Sequence, residues 1–323
     1  MVGVSCLYKD YQLECNTMND FPDNFIFGTA SAAYQYEGAT DVDGRKPSIW
    51  DTFTEQHPEK IEDGSSGKIA DEFYYLYRSD IVDKLKVMGF DSFRFSFSWS
   101  RILPYGTMNG GENKKGVQFY HSLIQTLIDN DLFSIGGYED GEYAPGRCSH
   151  YAGNCTSGNS AIEPYLVMHH ILLAHAEAVD LYWNQYKVAD SWMFIYPKGI
   201  EDLVMYVNEN YNNPTMYITE NGVQDPSVPE DKIRIKYYRR HLWHLLQAIK
   251  MGANVKGFYA WTLLDDFEWS SGYTLKFGLY DVNRKTMKRT PKASVDWFTI
   301  FLKPEPKIVD YGKLASSSLL SGA

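Results

Sequence analysis

The 323-residue sequence predicts an α/β fold built on parallel strands, and three observations carry that expectation. Short apolar or alternating runs of strand length take turns with longer stretches of helical apolar spacing, the pattern of parallel strands linked by right-handed crossovers. Polar and aromatic residues crowd the segments just after those runs, where parallel α/β folds keep their sites. The length suggests roughly two units at ~150 residues each, yet α/β barrels of 250 residues or more form one domain.

Residues 1–20 read as a polar leader with little periodicity. Phe25-Ile-Phe-Gly-Thr-Ala-Ser is a short apolar run ending in small residues, which suits a buried strand opening into a pocket. Residues 38–70 are rich in Gly, Asp, Pro and Ser and read as a long loop, and a loop of that length in a compact domain is usually functional. Phe73, Leu76, Ile81, Leu85 and Met88 place a helix over 71–88, stopped by Gly89. Residues 92–99 alternate polar and aromatic side chains, the period of a strand. A helix over 117–132 leads into a Gly/Cys/Asn-rich loop, 136–160, and then a long helix, 163–186. The alternation resumes with a helix over 197–211, a strand and turn over 215–222, and a helix over 229–251 ended by Gly252. A strand over 255–265, a small hairpin around Asp281-Val-Asn-Arg, and a last helix over 293–302 complete it. The Ser-rich stretch 316–321 lies in the tail, 304–323.

Composition narrows the partner classes. Lys and Arg number 31 against 41 Asp and Glu, a net charge of −10, which argues against a nucleic-acid binder that needs a basic face. Aromatic residues make up 15% of the chain, as in a large aromatic core or a cleft that stacks flat sugar faces. No apolar run approaches the ~20 residues of a membrane span, and the N-terminus shows no apolar core of a secretory signal. Of the cysteines, Cys148 and Cys155 flank a short Gly/Ser/Asn stretch that a bridge could close, and Asn154-Cys-Thr is a glycosylation sequon. Both features have meaning only in the secretory path, so the compartment stays open.

The strand tips hold the candidate chemistry. Strand 216–219 ends in Glu220-Asn-Gly, strand 258–261 runs toward Asp265-Asp-Phe-Glu268-Trp269, strand 93–99 carries Arg94, and Gln35 follows the first strand. A carboxylate at a strand tip, met by Arg, Gln, Trp and Glu, makes a polar, aromatic-walled cup of the kind that cleaves glycosidic bonds. An Arg beside such a carboxylate keeps it ionised. Taken alone, a Thr-Glu-Asn-Gly tip is first of all a turn with a capping Glu. His169, His170 and His175 fall on one helix without the i, i+4 spacing of a zinc pair, so helix packing is the expectation. His241 and His244, with Lys232, Arg234 and Lys236, read as a solvated outer face, with a basic docking surface as the alternative. No Gly-rich phosphate loop follows a strand.

Longer motifs sharpen this. Phe25-Ile-Phe-Gly-Thr-Ala-Ser-Ala-Ala-Tyr-Gln-Tyr-Glu-Gly, Pro47-Ser-Ile-Trp-Asp-Thr-Phe, Phe93-Arg-Phe-Ser-Phe-Ser-Trp-Ser-Arg, Tyr143-Ala-Pro-Gly-Arg-Cys, Tyr217-Ile-Thr-Glu-Asn-Gly and 261–272 are long, ordered and spread over residues 21–303. Together they strongly resemble plant β-glucosidases of glycoside hydrolase family 1. The resemblance implies a retaining β-glucosidase that takes a β-glucoside and needs no cofactor or metal. It matches Glu220 to the catalytic nucleophile and Arg94 to the nucleophile's basic neighbour. Gln35, Glu268 and Trp269 match positions that bind the sugar hydroxyls, Trp261 the floor under the sugar, and Cys148 with Cys155 a disulfide of the plant members.

The departures from the family are as informative as the matches. The family's general acid/base is the Glu of an Asn-Glu-Pro motif, and no Asn-Glu-Pro occurs in this chain. The Phe-His-Trp-Asp segment with its sugar-binding His is also absent, as is an Asn-Tyr-Tyr motif. The gaps fall after Ile135 and after Val188, between intact flanks, as exon skipping or a faulty gene model would leave them. The resemblance therefore implies an incomplete (β/α)8 TIM barrel retaining strands equivalent to 1, 2, 7 and 8, with residues 21–303 as the truncated domain. In a closed barrel those strands are neighbours in the order 7, 8, 1, 2, so one open sheet is expected. Its two unpaired edges and uncovered inner face predict self-association or association with full-length family members. A retaining site needs a second carboxyl ~5–5.5 Å from the nucleophile. Glu139, Asp140 and Glu142 follow the lost motif and are the candidates to replace it. Two readings stand: a β-glucosidase-type hydrolase with low or lost activity, and a non-catalytic truncated form that associates with intact relatives.

Overall fold

The computed structural model describes residues 14–132 and 195–304. The expected loop 136–160, the helix 163–186, Glu139, Asp140, Glu142, the Cys148/Cys155 pair, Asn154 and His169, His170 and His175 lie outside the described residues.

The first strand, β1 (Ile26–Ala30), is buried along nearly its whole length, as a strand covered on both faces must be. The chain then turns through α1 (Ala33–Tyr36) into the Gly- and Asp-rich stretch. That stretch contains a helix that sequence composition concealed: α2 (Ile49–Gln56). Its start is a capping box, in which Asp51 N–H donates to the Ser48 hydroxyl and the Asp51 carboxylate accepts from Ser48 N–H at 2.6 Å. The expected 38–70 loop is thus a loop broken by a capped helix. The helix expected over 71–88 is α3 (Phe73–Asp80) running into a π-helical turn, Ile81–Lys86, before Gly89. Strand β2 (Ser92–Arg94) is shorter than the alternating run 92–99 suggested, because α4 (Trp99–Ile102) begins where the alternation ends. The helix α5 (Lys114–Ile128) closes the first half.

The second half comprises α6 (Lys198–Asn210), β3 (Met216–Asn221), α7 (Lys232–Lys250) and β4 (Val255–Ala260). The antiparallel pair β5 (Tyr280–Val282) and β6 (Arg289–Pro291) forms the expected hairpin, and α8 (Ala293–Phe301) follows it. The four longer-range strands form one parallel sheet in the order β2-β1-β4-β3. The two strands from the chain's start sit beside the two from its second half, with Phe27 opposite Phe258.

The core lies between this sheet and the helices. Phe27, Phe93, Phe258, Tyr238, Phe298 and Phe301 are all essentially inaccessible to solvent. Ring pairs such as Phe27–Phe301 and Tyr238–Phe298 meet edge-on at 5.5 and 4.9 Å, the favoured aromatic geometry. Much of the aromatic excess is therefore core. The α7 face expected to be solvated is instead buried. His241 and His244 are covered, and Arg234 is fully buried in an ion pair with Asp231 at 2.5 Å, leaving only Lys232 and Lys236 exposed. Packing against α6 accounts for part of this, since His244 Nδ1 meets the Glu201 carboxylate of α6 at 2.6 Å. Among the described residues no helix is long and apolar enough to cross a membrane.

Candidate active site

Because the four strands are parallel, their C-terminal ends open on one side, and each delivers a candidate residue there. Arg94 ends β2, Glu220 lies at the end of β3, Trp261 follows β4, and Gln35 lies in α1 just beyond β1.

Arg94 and Glu220, 126 positions apart in sequence, form an ion pair: Arg94 Nη1 donates to Glu220 Oε1 at 2.5 Å. The guanidinium is anchored to the sheet by a second bond from Nη1 to the Ser31 carbonyl at 3.2 Å, and Ser31 N–H donates back to the Arg94 carbonyl. Glu220 is half-exposed, so its carboxylate is held from one side and open on the other. Gly222 is required beside it, because a Cβ there would collide with the Trp261 carbonyl oxygen. That close approach lets Trp261 N–H donate to the Asn221 carbonyl at 2.8 Å and ties the ends of β3 and β4 together.

The second group gathers around Glu268. Gln35 Nε2 donates to Glu268 Oε2 at 3.2 Å. Burial chiefly, with the negative charge of Glu220 added, pushes the Glu268 carboxyl up to about 7. Trp269 has a left-handed backbone and lies nearly parallel to Tyr34, with ring centroids 6.3 Å apart, and against Trp50 of α2 at 4.8 Å.

Arg94 pairs with Glu220 and Gln35 with Glu268, all expected from the sequence, and Trp261 is tied to the end of β3 through the Asn221 carbonyl. Trp269 is joined to them through the chain segment 266–269 and through Tyr34. Tyr34 and Trp50 were not singled out, although both stand in motifs read as informative, and aromatic side chains one and fifteen residues from Gln35 were the available signal. Arg284 carried no such signal. Arg284 lies in the turn of the β5–β6 hairpin, donates to Asp71 at 2.6 Å and to the Asp265 carbonyl, and covers the Tyr273 ring at 4.2 Å. It thereby fastens the segment carrying Glu268 to the end of the 38–71 region.

A carboxyl group beside a fixed guanidinium, with a second acid, an amide and indole rings at the same end of the sheet, can hold a polyol and present an oxygen nucleophile. The sequence model of glycosyl hydrolase family 1 matches residues 17–135 and 184–305. The chain belongs to glycosyl hydrolase family 1. It is 34% identical to beta-glucosidase 12 of Oryza sativa subsp. indica over 471 aligned positions, covering 87% of this chain and 92% of that one. It is 32% identical to beta-glucosidase 17 of Arabidopsis thaliana, covering 88% of this chain and 91% of the other. Among solved structures, the rice Os3BGlu6 beta-glucosidase superposes with a TM-score of 0.70 at 28% identity, covering 89% of this chain and 100% of that one. These relatives support a glycosidase site, and the structural neighbours are TIM barrels.

Proposed function

We propose that this family 1 chain recognises β-glucosides through Gln35, Trp261, Glu268 and Trp269 and retains Glu220 as a nucleophile, but lacks the family's general acid. The observation that carries the reading is the Arg94–Glu220 pair at the end of the sheet, 2.5 Å apart. It is a carboxylate paired with a guanidinium on one side and open to a substrate on the other. In a retaining reaction Glu220 attacks the anomeric carbon, forming a glycosyl-enzyme bond as the carbon–oxygen bond to the aglycone breaks. Water then releases the sugar. The leaving oxygen needs a proton that a positioned acid would supply, a contribution of about 10²–10⁴-fold. Without it, only aglycones that leave as stable anions are displaced.

On the same reading residues 21–303 form one truncated glycosidase domain, an incomplete barrel of four strands equivalent to the family's 7, 8, 1 and 2. Two observations support the truncation. A 323-residue chain cannot fill 471 aligned positions. The order β2-β1-β4-β3 is the one that four adjacent strands of a closed barrel would keep. The absence of Asn-Glu-Pro from the sequence favours a second reading, a non-catalytic form that binds glucosides and associates with full-length relatives.

Hydrolysis of a nitrophenyl β-glucoside and of an alkyl β-glucoside by the pure protein separates the two. The first reading expects slow release of nitrophenol, none detectable from the alkyl glucoside, and complete loss in Glu220→Gln. Nitrophenol release equal in the wild type and Glu220→Gln rejects the nucleophile and leaves the binding form.

A further inference from the structure

The strand that carries Glu220 breaks the alternation of its neighbours. Tyr217 pairs with Gly257, Ile218 with Phe258 and Asn221 with Ala260, so three steps along β3 match two along β4. Thr219 and Glu220 together therefore oppose Tyr259, which makes a β-bulge. Packing fixes the two faces of the sheet around it. Ile218 joins Phe258 and Ala260 in the core between sheet and helices, whereas Tyr217 joins Tyr259, Trp261 and Ala30 on the opposite face. Arg94 pairs with Ala30 and so belongs to that opposite face. Strict alternation from Ile218 would turn Glu220 back toward the helices and Asn221 toward Arg94. The bulge reverses both. Asn221 falls in phase with Ala260, and its Oδ1 is buried. Glu220 meets Arg94 at 2.5 Å. Thr219 and Glu220 are both exposed, as consecutive strand residues are when a bulge puts them on one open face.

We propose that Thr219 is a further sugar-binding residue, its hydroxyl set beside the Glu220 carboxylate by the bulge that turns both side chains to the Arg94 face. The same face carries Trp261, whose N–H donates to the Asn221 carbonyl at 2.8 Å just past the bulge, so the bulged pair and the indole are held at one strand end. A carboxylate only accepts hydrogen bonds, whereas a hydroxyl both donates and accepts. A sugar held for attack by Glu220 thus has a neutral partner for one of its hydroxyls a single residue away. The inference rests on the reading of this strand end as a glucoside site, but the bulge is measurable without any sugar.

Two measurements on the full chain test it. Thr219→Cys, Glu220→Cys and Asn221→Cys are labelled with a charged methanethiosulfonate and followed by intact mass over the wild-type background. The first two are expected to label at rates within about threefold of each other, and Asn221→Cys about tenfold more slowly or less. Protection of either Thr219→Cys or Glu220→Cys to the level of Asn221→Cys restores simple alternation and overturns the proposal whatever the sugar does. D-glucose binding, read by tryptophan fluorescence, is expected to weaken about three- to tenfold in Thr219→Val, which keeps the branched shape and loses the hydroxyl, and to recover to within about twofold of wild type in Thr219→Ser. Binding by Thr219→Val equal to wild type overturns it, as does equal weakening in Thr219→Val and Thr219→Ser, since the hydroxyl would then carry nothing. Failure of the wild type to bind D-glucose, with the labelling pattern present, rejects the glucoside site on which the proposal rests and leaves the bulge standing.

Discussion

Glu220 and Glu268 are both carboxylates at the same end of one sheet, and their surroundings set them apart. Glu220 meets a guanidinium and open solvent, whereas Glu268 is largely buried and meets the Gln35 amide. The folded chain therefore binds a proton at Glu268 more tightly than the unfolded chain does. A carboxyl raised in this way contributes stability that is fully present below the unfolded value near 4.5 and is lost as pH rises through about 7. Urea unfolding between pH 4.5 and 7 is expected to show stability falling with pH. Glu268→Gln, which cannot ionise, is expected to flatten the fall, and an unchanged slope in that variant would remove Glu268 from the account.

At the scale of elements, the region between β1 and α3 is held to the rest by a buried charge pair. Arg101 of α4 donates from Nε to Glu37 at 2.8 Å and from Nη2 to the Gly38 carbonyl at 3.0 Å, and its guanidinium lies over the Tyr74 ring at 4.4 Å. Tyr120 of α5 donates to the other Glu37 oxygen at 2.5 Å. One carboxylate thus joins α1, α4 and α5. Arg101→Met is expected to cost about 3–5 kcal/mol in chemical unfolding, because it strands a buried carboxylate rather than removing a balanced pair. A loss below about 1 kcal/mol would mean that Glu37 escapes to water or takes up a proton at little cost. The strands and most helices were legible, since β1 and β4 are short apolar runs bounded by polar segments and α7 keeps a helical period over nineteen residues. The capped helix α2 was not. Its eight residues lie in a stretch whose Gly, Pro and Asp content reads as loop, and the reciprocal Ser48–Asp51 bonds that start it are a three-residue signal. The short β2 failed for the opposite reason: alternation continued past Arg94 while the backbone left the sheet.

The whole molecule also responds to acid through the α7 interface. His241 is buried, its Nδ1–H donates to the Tyr237 carbonyl at 2.8 Å, and burial first, then the charges of His244 and Arg240, lowers it to about 4. A base lowered in this way contributes stability present above about 6.5 and lost as pH falls through about 4. Unfolding measured from pH 6.5 to 4 is expected to be less pH-dependent in His241→Gln than in wild type, and an equal slope would show that His241 reaches water before the fold is lost. The sequence by itself determined the alternation of strand and helix, the acidic balance, the family motifs and the residue types at each strand tip. These follow from local periodicity and from side-chain chemistry that does not depend on neighbours. The tertiary structure alone decided the 2.5 Å Arg94–Glu220 pair, the bond from Gln35 to Glu268, and the inward facing of the α7 histidines. Each of those is a meeting of residues far apart in the chain or on different elements, and burial and charge at such a meeting are properties of the packed sheet and helices rather than of any segment.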